Sequence, residues 1–195
     1  MGIPIAQAEV ARSYHTTQMM QPHHSNARWS PSVTVAAIVQ RLHSDGAPRQ
    51  YLLVEEHTPE GLKLNNPAGH LEVGESPLQG VQREALEETT CVFTPHSLLG
   101  VYLARFVRPA KGEDVTYLRF AYLGTAGAAD PLLTLDEGIV RTVWLTADEV
   151  RAAAAQGRLR SPLVLRCVED AESGRVHPLG AVVTDESLMA PLVMG

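Results

Sequence analysis

The sequence predicts an α+β sandwich, and three observations carry that prediction. Ser32–Arg41 is a β-branched, apolar run of the kind buried within a sheet. A capped helix follows in mid-chain at 77–89, opened by Ser76-Pro77. Two more helices close the chain, one capped by Thr146 and one opened by Ser161-Pro162. Strands first, one helix inserted and helices at the end is an α+β order.

Taken in order, residues 1–30 lack periodicity and read as a flexible N-terminal tail. After the strand at 32–41, Ser44-Asp45-Gly46 turns the chain into a second strand, Gln50–Glu56. Glu60-Gly61 turns it again. Leu62–Asn66 and Gly69–Val73 are short strands flanking Pro67. Beyond the central helix, Leu98–Val107 and Val115–Leu123 are strands around a turn at 109–112, and 124–135 reads as irregular. Ile139–Leu145 is a last strand. The helices then run to about Gln156 and about Ala171. The domain is expected at 31–180, with a C-terminal tail at 181–195.

Composition narrows the function. The chain has 195 residues, 45% of them hydrophobic and 19% charged, which suits one globular domain. Its net charge of −6 argues against nucleic acid as a partner, since that needs a basic patch. No apolar run is long enough to span a membrane, and the N-terminus shows no signal peptide, so a cytoplasmic location is the expectation. The two cysteines, Cys91 and Cys167, sit in apolar settings and read as buried thiols.

The chemistry concentrates between Gly69 and Cys91. On a helical wheel with Glu84 at 0°, Glu87 falls at about 300° and Glu88 at about 40°, so the three acids share one face. Leu78, Val81 and Ala85 form an apolar stripe beside them. Arg83 lies one turn from Glu87 and within reach of Glu75. Acids on one helical turn repel, and a hard divalent cation such as Mg2+ would relieve that. A bare Glu-Glu pair would read as a solvated face. In the strand at 115–123, period 2 puts Val115, Tyr117, Arg119 and Ala121 on one side. An arginine there reads either as a core ion pair or as an anion contact.

The spacing of Gly69, Glu75, Arg83, Glu84, Glu87 and Glu88, with apolar Ala85 and Cys91, resembles the Nudix box. Thr90 stands where that family has Gly, so the helix exit is expected to differ. Leu53-Val54-Glu55-Glu56, Asn66–Glu72, Leu118-Arg119-Phe120, Trp144 and Leu159–Val164 are similar to the NudJ-type phosphatases.

The resemblance implies an α/β/α sandwich with a mixed sheet. It implies Mg2+, with Mn2+ as substitute, held by Glu84 and Glu88 with the Ala68 carbonyl. Glu87 would act through water or on a second ion, and Arg83 with Glu75 would orient the helix. It implies release of orthophosphate from nucleoside tri- and diphosphates and from thiamine or hydroxymethylpyrimidine pyrophosphate. Arg119 and Lys63 are candidates for phosphate, Tyr117 for stacking on a ring, and His70 for substrate contact. Asp136, Glu137 and Glu72 are candidate acids outside the box. The partner would be a small pyrophosphate or nucleotide, with no nucleic acid or membrane, in a monomer or homodimer. Two other readings stand beside this: a Nudix diphosphatase for ADP-ribose or a damaged nucleotide, and a non-catalytic ligand-sensing module.

Overall fold

The structure, a computed structural model, describes residues 29–109 and 112–189. The N-terminal stretch before Trp29, expected as a tail, lies outside them. Strands β1 (Ser32–Arg41), β2 (Gln50–Thr58), β3 (Gly61–Asn65) and β4 (Ala68–His70) precede helix α1 (Pro77–Thr89). Strands β5 (Cys91–Arg108), β6 (Glu113–Ala129) and β7 (Ile139–Thr146) lead to α2 (Ala147–Ala155) and α3 (Pro162–Glu172). Short 3-10 turns follow at Leu179–Ala181, at the expected domain end, and at Glu186–Met189, within the stretch expected as a C-terminal tail. No helix among the described residues is long and apolar enough to cross a membrane.

The seven strands described form one mixed sheet in the order β3-β2-β1-β6-β5, with β4 beside β1 and β7 beside β2. β1 runs parallel to β6 and antiparallel to β2 and β4. Its residues alternate between two cores. Val35, Ala37 and Val39 pack against Val81 and Ala85 of α1. Ala36 and Ile38 pack against Val150 of α2 and Val164, Cys167 and Val168 of α3. Burial on both faces explains the unbroken apolar run. Cys91 and Cys167 are buried free thiols, as expected.

The sheet forks, and the fork makes the site. β1 pairs with β2 from Val39↔Leu52 to Arg41↔Gln50. Further along, β1 takes β4 instead, from Ala36↔Ala68 to Thr34↔His70. β2 meanwhile pairs with β3 from Val54↔Asn65 onward. The chain crosses the gap at Asn66-Pro67, where the Ala37 N–H donates to the Pro67 carbonyl at 2.8 Å. Backbone that is not shared between β1 and β2 leaves room for a cleft.

Two expectations are corrected. β5 and β6 are far longer than predicted, and the stretch from Gly124 to Ala129, read as irregular, continues β6. Gly124 permits this: a Cβ there would overlap the Thr94 carbonyl of β5. Register shifts at Cys91/Phe93, Pro95/Ser97 and Leu98/Gly100 absorb Pro95. The exit of α1 does not depart from the glycine geometry either. Thr90 itself takes the left-handed conformation at φ 57, closed by its N–H on the Leu86 carbonyl at 2.8 Å. Buried packing and the Asp130 N–H on the Thr90 carbonyl at 2.9 Å hold it there.

Candidate active site

Helix α1 is fixed first at its N-terminus. Ser76 and Gln79 form the complete capping box, and Pro77 takes the first turn. Val81 and Ala85 are buried in the core, which turns Arg83, Glu84, Glu87 and Glu88 toward β4 and the fork. Gly69 of β4 makes this approach possible, since a Cβ there would overlap the Glu84 carboxylate.

Arg83 ties the acids together. Its guanidinium donates to Glu75 Oε1 at 2.8 Å and Oε2 at 3.1 Å. It also donates to Glu84 and Glu87, each at 2.9 Å, and to the His70 carbonyl at 3.1 Å. The expected Arg83–Glu75 pair is therefore present. Arg83 holds the Glu75 carboxyl below its usual range. Glu75 Oε1 also accepts from the Glu72 N–H at 2.8 Å, so Glu72 meets this network through its backbone.

Glu84 and Glu88 behave differently. Burial pushes the Glu84 carboxyl up in spite of Arg83. Burial pushes Glu88 up to about 8, against the Ala68 N–H; the charges of Glu84, Glu56 and Asp136 add to the rise. The Ala68 N–H donates to Glu88 Oε2 at 2.8 Å, which ties this carboxyl to β4. Asp136 of the outside acids thus reaches the box electrostatically, and its N–H donates to the Glu87 carbonyl at 3.0 Å. Glu137 is exposed and away from the cleft.

These residues fit a hard divalent cation. Glu84 Oε2 and Glu88 Oε1 have no hydrogen-bond partner among the described residues. Both are oxygen donors on carboxyls whose ionisation the fold disfavours. No group of three His, Cys, Asp or Glu side chains among the described residues is arranged to hold a metal by itself. Mg2+ does not require one: it binds through one or two carboxylates and completes its shell with water and phosphate.

A cleft of about 180 Å3 lies against this edge, walled by β4, β6 and the start of α3. Arg119, Tyr117 and His70 line it; Lys63 does not, because its ammonium is spent on the Gly157 carbonyl at 2.5 Å. The Tyr117 ring stands 6.2 Å from His70 and 5.6 Å from Phe106, making an aromatic wall. Among the described residues Arg119 makes no ion pair, and its Nε and Nη1 are buried without a hydrogen-bond partner. Burial lowers its pKa, and the charges of Glu88 and Glu56 support its cationic form.

The cleft also holds residues that the sequence did not single out. Thr34, Glu56, Asn65 and Ser161 line it, and each has a buried oxygen without a hydrogen-bond partner. Ser161 opens α3 by position alone, making no side-chain cap. Burial raises the Glu56 carboxyl, opposed by Arg160, Asn65 and Arg119. The signal that was available is an acid ending an otherwise apolar strand, Leu52-Leu53-Val54-Glu55-Glu56. Its neighbour Glu55 is a structural acid, bonded to Arg141 at 2.7 Å and Arg158 at 3.0 Å.

Comparison with known proteins identifies a family for the chain. The NUDIX domain family model matches residues 31–165. Phosphatase NudJ of Escherichia coli (strain K12) is 32% identical over 151 residues, which covers 77% of this chain and 90% of that protein. A NUDIX hydrolase from Nitrosomonas europaea superposes with a TM-score of 0.67 at 44% identity, over 80% of this chain and 98% of that one. The NUDIX domain of Shewanella oneidensis NrtR, solved with ADP ribose, shares the fold at 19% identity and a TM-score of 0.55, over 78% and 94% of the two chains. The chain belongs to the Nudix family and is a hydrolase of phosphoanhydrides.

Proposed function

We propose that this protein is a Mg2+-dependent phosphatase of small pyrophosphates, with Mn2+ able to substitute. Its substrates would be nucleoside tri- and diphosphates and thiamine or hydroxymethylpyrimidine pyrophosphate, and its product orthophosphate. The catalytic unit is residues 31–180. The observation that carries this reading is the pair Glu84 and Glu88, each with one free carboxylate oxygen, beside a cleft in which Arg119 has unpaired donors. The similarity to phosphatase NudJ supports the product.

The chemistry a divalent cation supplies when bound is neutralisation of phosphate oxygens and a more acidic water. Glu84 and Glu88 would hold it with the Ala68 carbonyl, and Glu87, in the Arg83 network, would act through water or on a second ion. Arg83 and Glu75 keep α1 in register with β4. Arg119 orients a phosphate, and Tyr117 with Phe106 and His70 flanks the remainder of the substrate. The attacking water's proton would pass to the box carboxylates Glu84, Glu87 and Glu88.

The test is a panel of nucleoside di- and triphosphates and thiamine pyrophosphate with Mg2+, with orthophosphate, pyrophosphate and nucleoside monophosphate measured separately. Orthophosphate is expected, and turnover should stop in excess chelator. Monophosphate plus pyrophosphate from triphosphates would replace this reading with a diphosphatase of ADP-ribose or damaged-nucleotide type.

A further inference from the structure

We propose that Glu56 and Asn65 form a paired acceptor edge in the cleft that selects substrates whose ring carries an exocyclic amino group over those carrying a carbonyl there. The inference rests on the proposed hydrolysis of small pyrophosphates and specifies what the rest of such a substrate must present.

The unpaired atoms of the cleft are not alike. Those of Glu56 and Asn65 are Oε1 and Oδ1, both oxygens that accept. Those of Arg119 are Nε and Nη1, both donors. Thr34 and Ser161 contribute hydroxyls, which serve either way and discriminate nothing.

Asn65 Oδ1 lies buried in the cleft wall with no hydrogen-bond partner among the described residues, so it remains as a free acceptor. Register places the two side chains on neighbouring strands, with Val54↔Asn65 and Glu56↔Lys63. Arg160 forms an ion pair with Glu56 Oε1 at 3.6 Å, too long for a hydrogen bond, so this oxygen keeps its capacity to accept one. Buried acceptors left unpaired are costly and rare, and these two share one cleft.

An amino group brings two N–H donors to that edge, one for each oxygen. A carbonyl brings lone pairs against a carboxylate and an amide oxygen, which repels. The substrate's phosphate meets the opposite chemistry at Arg119. The cleft thus offers donors at Arg119 for the anhydride and acceptors at Glu56 and Asn65 for the ring, with Tyr117 and Phe106 in its aromatic wall.

The experiment compares CDP with UDP, which differ at this group, using Mg2+ and the full chain. Wild type should show a kcat/KM for CDP at least about tenfold above that for UDP. Glu56→Gln, whose amide can donate as well as accept, should bring the two within about threefold of each other. Its Mg2+ affinity, measured by calorimetry without substrate, should stay within about twofold of wild type. Equal wild-type values for CDP and UDP overturn the proposal. So does a Glu56→Gln variant that loses both substrates equally together with Mg2+ binding, since Glu56 would then belong to the metal site. Binding of CMP and UMP to wild type carries the same test without turnover or mutation: CMP should bind about tenfold more tightly, and equal affinities overturn the selection. Tighter CMP binding with neither diphosphate hydrolysed would sink the phosphatase reading and leave the selection standing.

Discussion

The two sides of the cleft solve their polar groups in opposite ways. On the α1 side, Arg83 spends its donors on Glu75, Glu84, Glu87 and the His70 carbonyl. On the β-sheet side, Thr34, Glu56, Asn65, Arg119 and Ser161 keep buried polar atoms with no hydrogen-bond partner among the described residues. A satisfied network holds geometry, whereas an unsatisfied one waits for atoms from outside the protein. Glu84 and Glu88 stand on the boundary, each with one oxygen engaged and one free. On the proposed function, the difference means that the box positions and the fork binds.

The largest expected effect falls on that boundary. Glu88→Gln and Glu84→Gln each remove a ligand charge and keep the shape. Each should lower kcat by at least about a hundredfold with circular dichroism unchanged. Unaltered rates in both would separate the acids from the chemistry.

The next effect belongs to the unsatisfied side. Arg119→Ala should weaken transition-state binding by about 1.5–3 kcal/mol, read from kcat/KM, if the guanidinium makes a charged hydrogen bond to phosphate. Because its Nε and Nη1 are buried with no hydrogen-bond partner among the described residues, thermal stability should hold or rise. A fall in stability with kcat/KM preserved would turn it into a structural residue.

The smallest effect lies at the far end of α1, where Thr90 sits at φ 57. Thr90→Gly and Thr90→Ala both delete the buried side chain, but only glycine enters the left-handed region freely. Thr90→Gly should therefore be more stable than Thr90→Ala by about 1 kcal/mol in urea unfolding. Equal midpoints would show that the helix exit is unstrained.

The same division explains what the sequence made legible. The box side is local: Ser76, Pro77 and Gln79 cap α1, and Glu84, Glu87 and Glu88 follow within one helix, so spacing alone places them on one face. Helix 77–89 and strand 32–41 appear where their residues predict them. The fork side is assembled from Thr34, Glu56, Asn65, Arg119 and Ser161, which come from five separate stretches of chain. No periodicity links them, and Glu56 reads in the sequence like its neighbour Glu55, which turns out to be an ion-paired structural acid. Tyr117 and Arg119 were accessible because period 2 in one strand fixes a face. Lys63 was not, since its partner Gly157 lies in a loop far along the chain. The extension of β6 past Gly124 was hidden by small residues that read as loop and in fact let β5 approach.

The central claim, that a divalent cation completes Glu84 and Glu88, is tested most directly by thermal unfolding across pH with and without Mg2+. Glu88 titrates near 8 in the fold against an ordinary 4.5. The folded state therefore holds that proton more tightly than the unfolded chain does. The stability that Glu88 contributes without metal is fully present below about pH 4.5 and is lost as pH rises through about 8. Bound Mg2+ favours the ionised carboxylate, so the rise in Tm on adding Mg2+ should be small at about pH 6 and grow toward about pH 8.5. In Glu88→Gln that growth should vanish. A Mg2+ effect that is independent of pH and equal in wild type and Glu88→Gln would contradict the account.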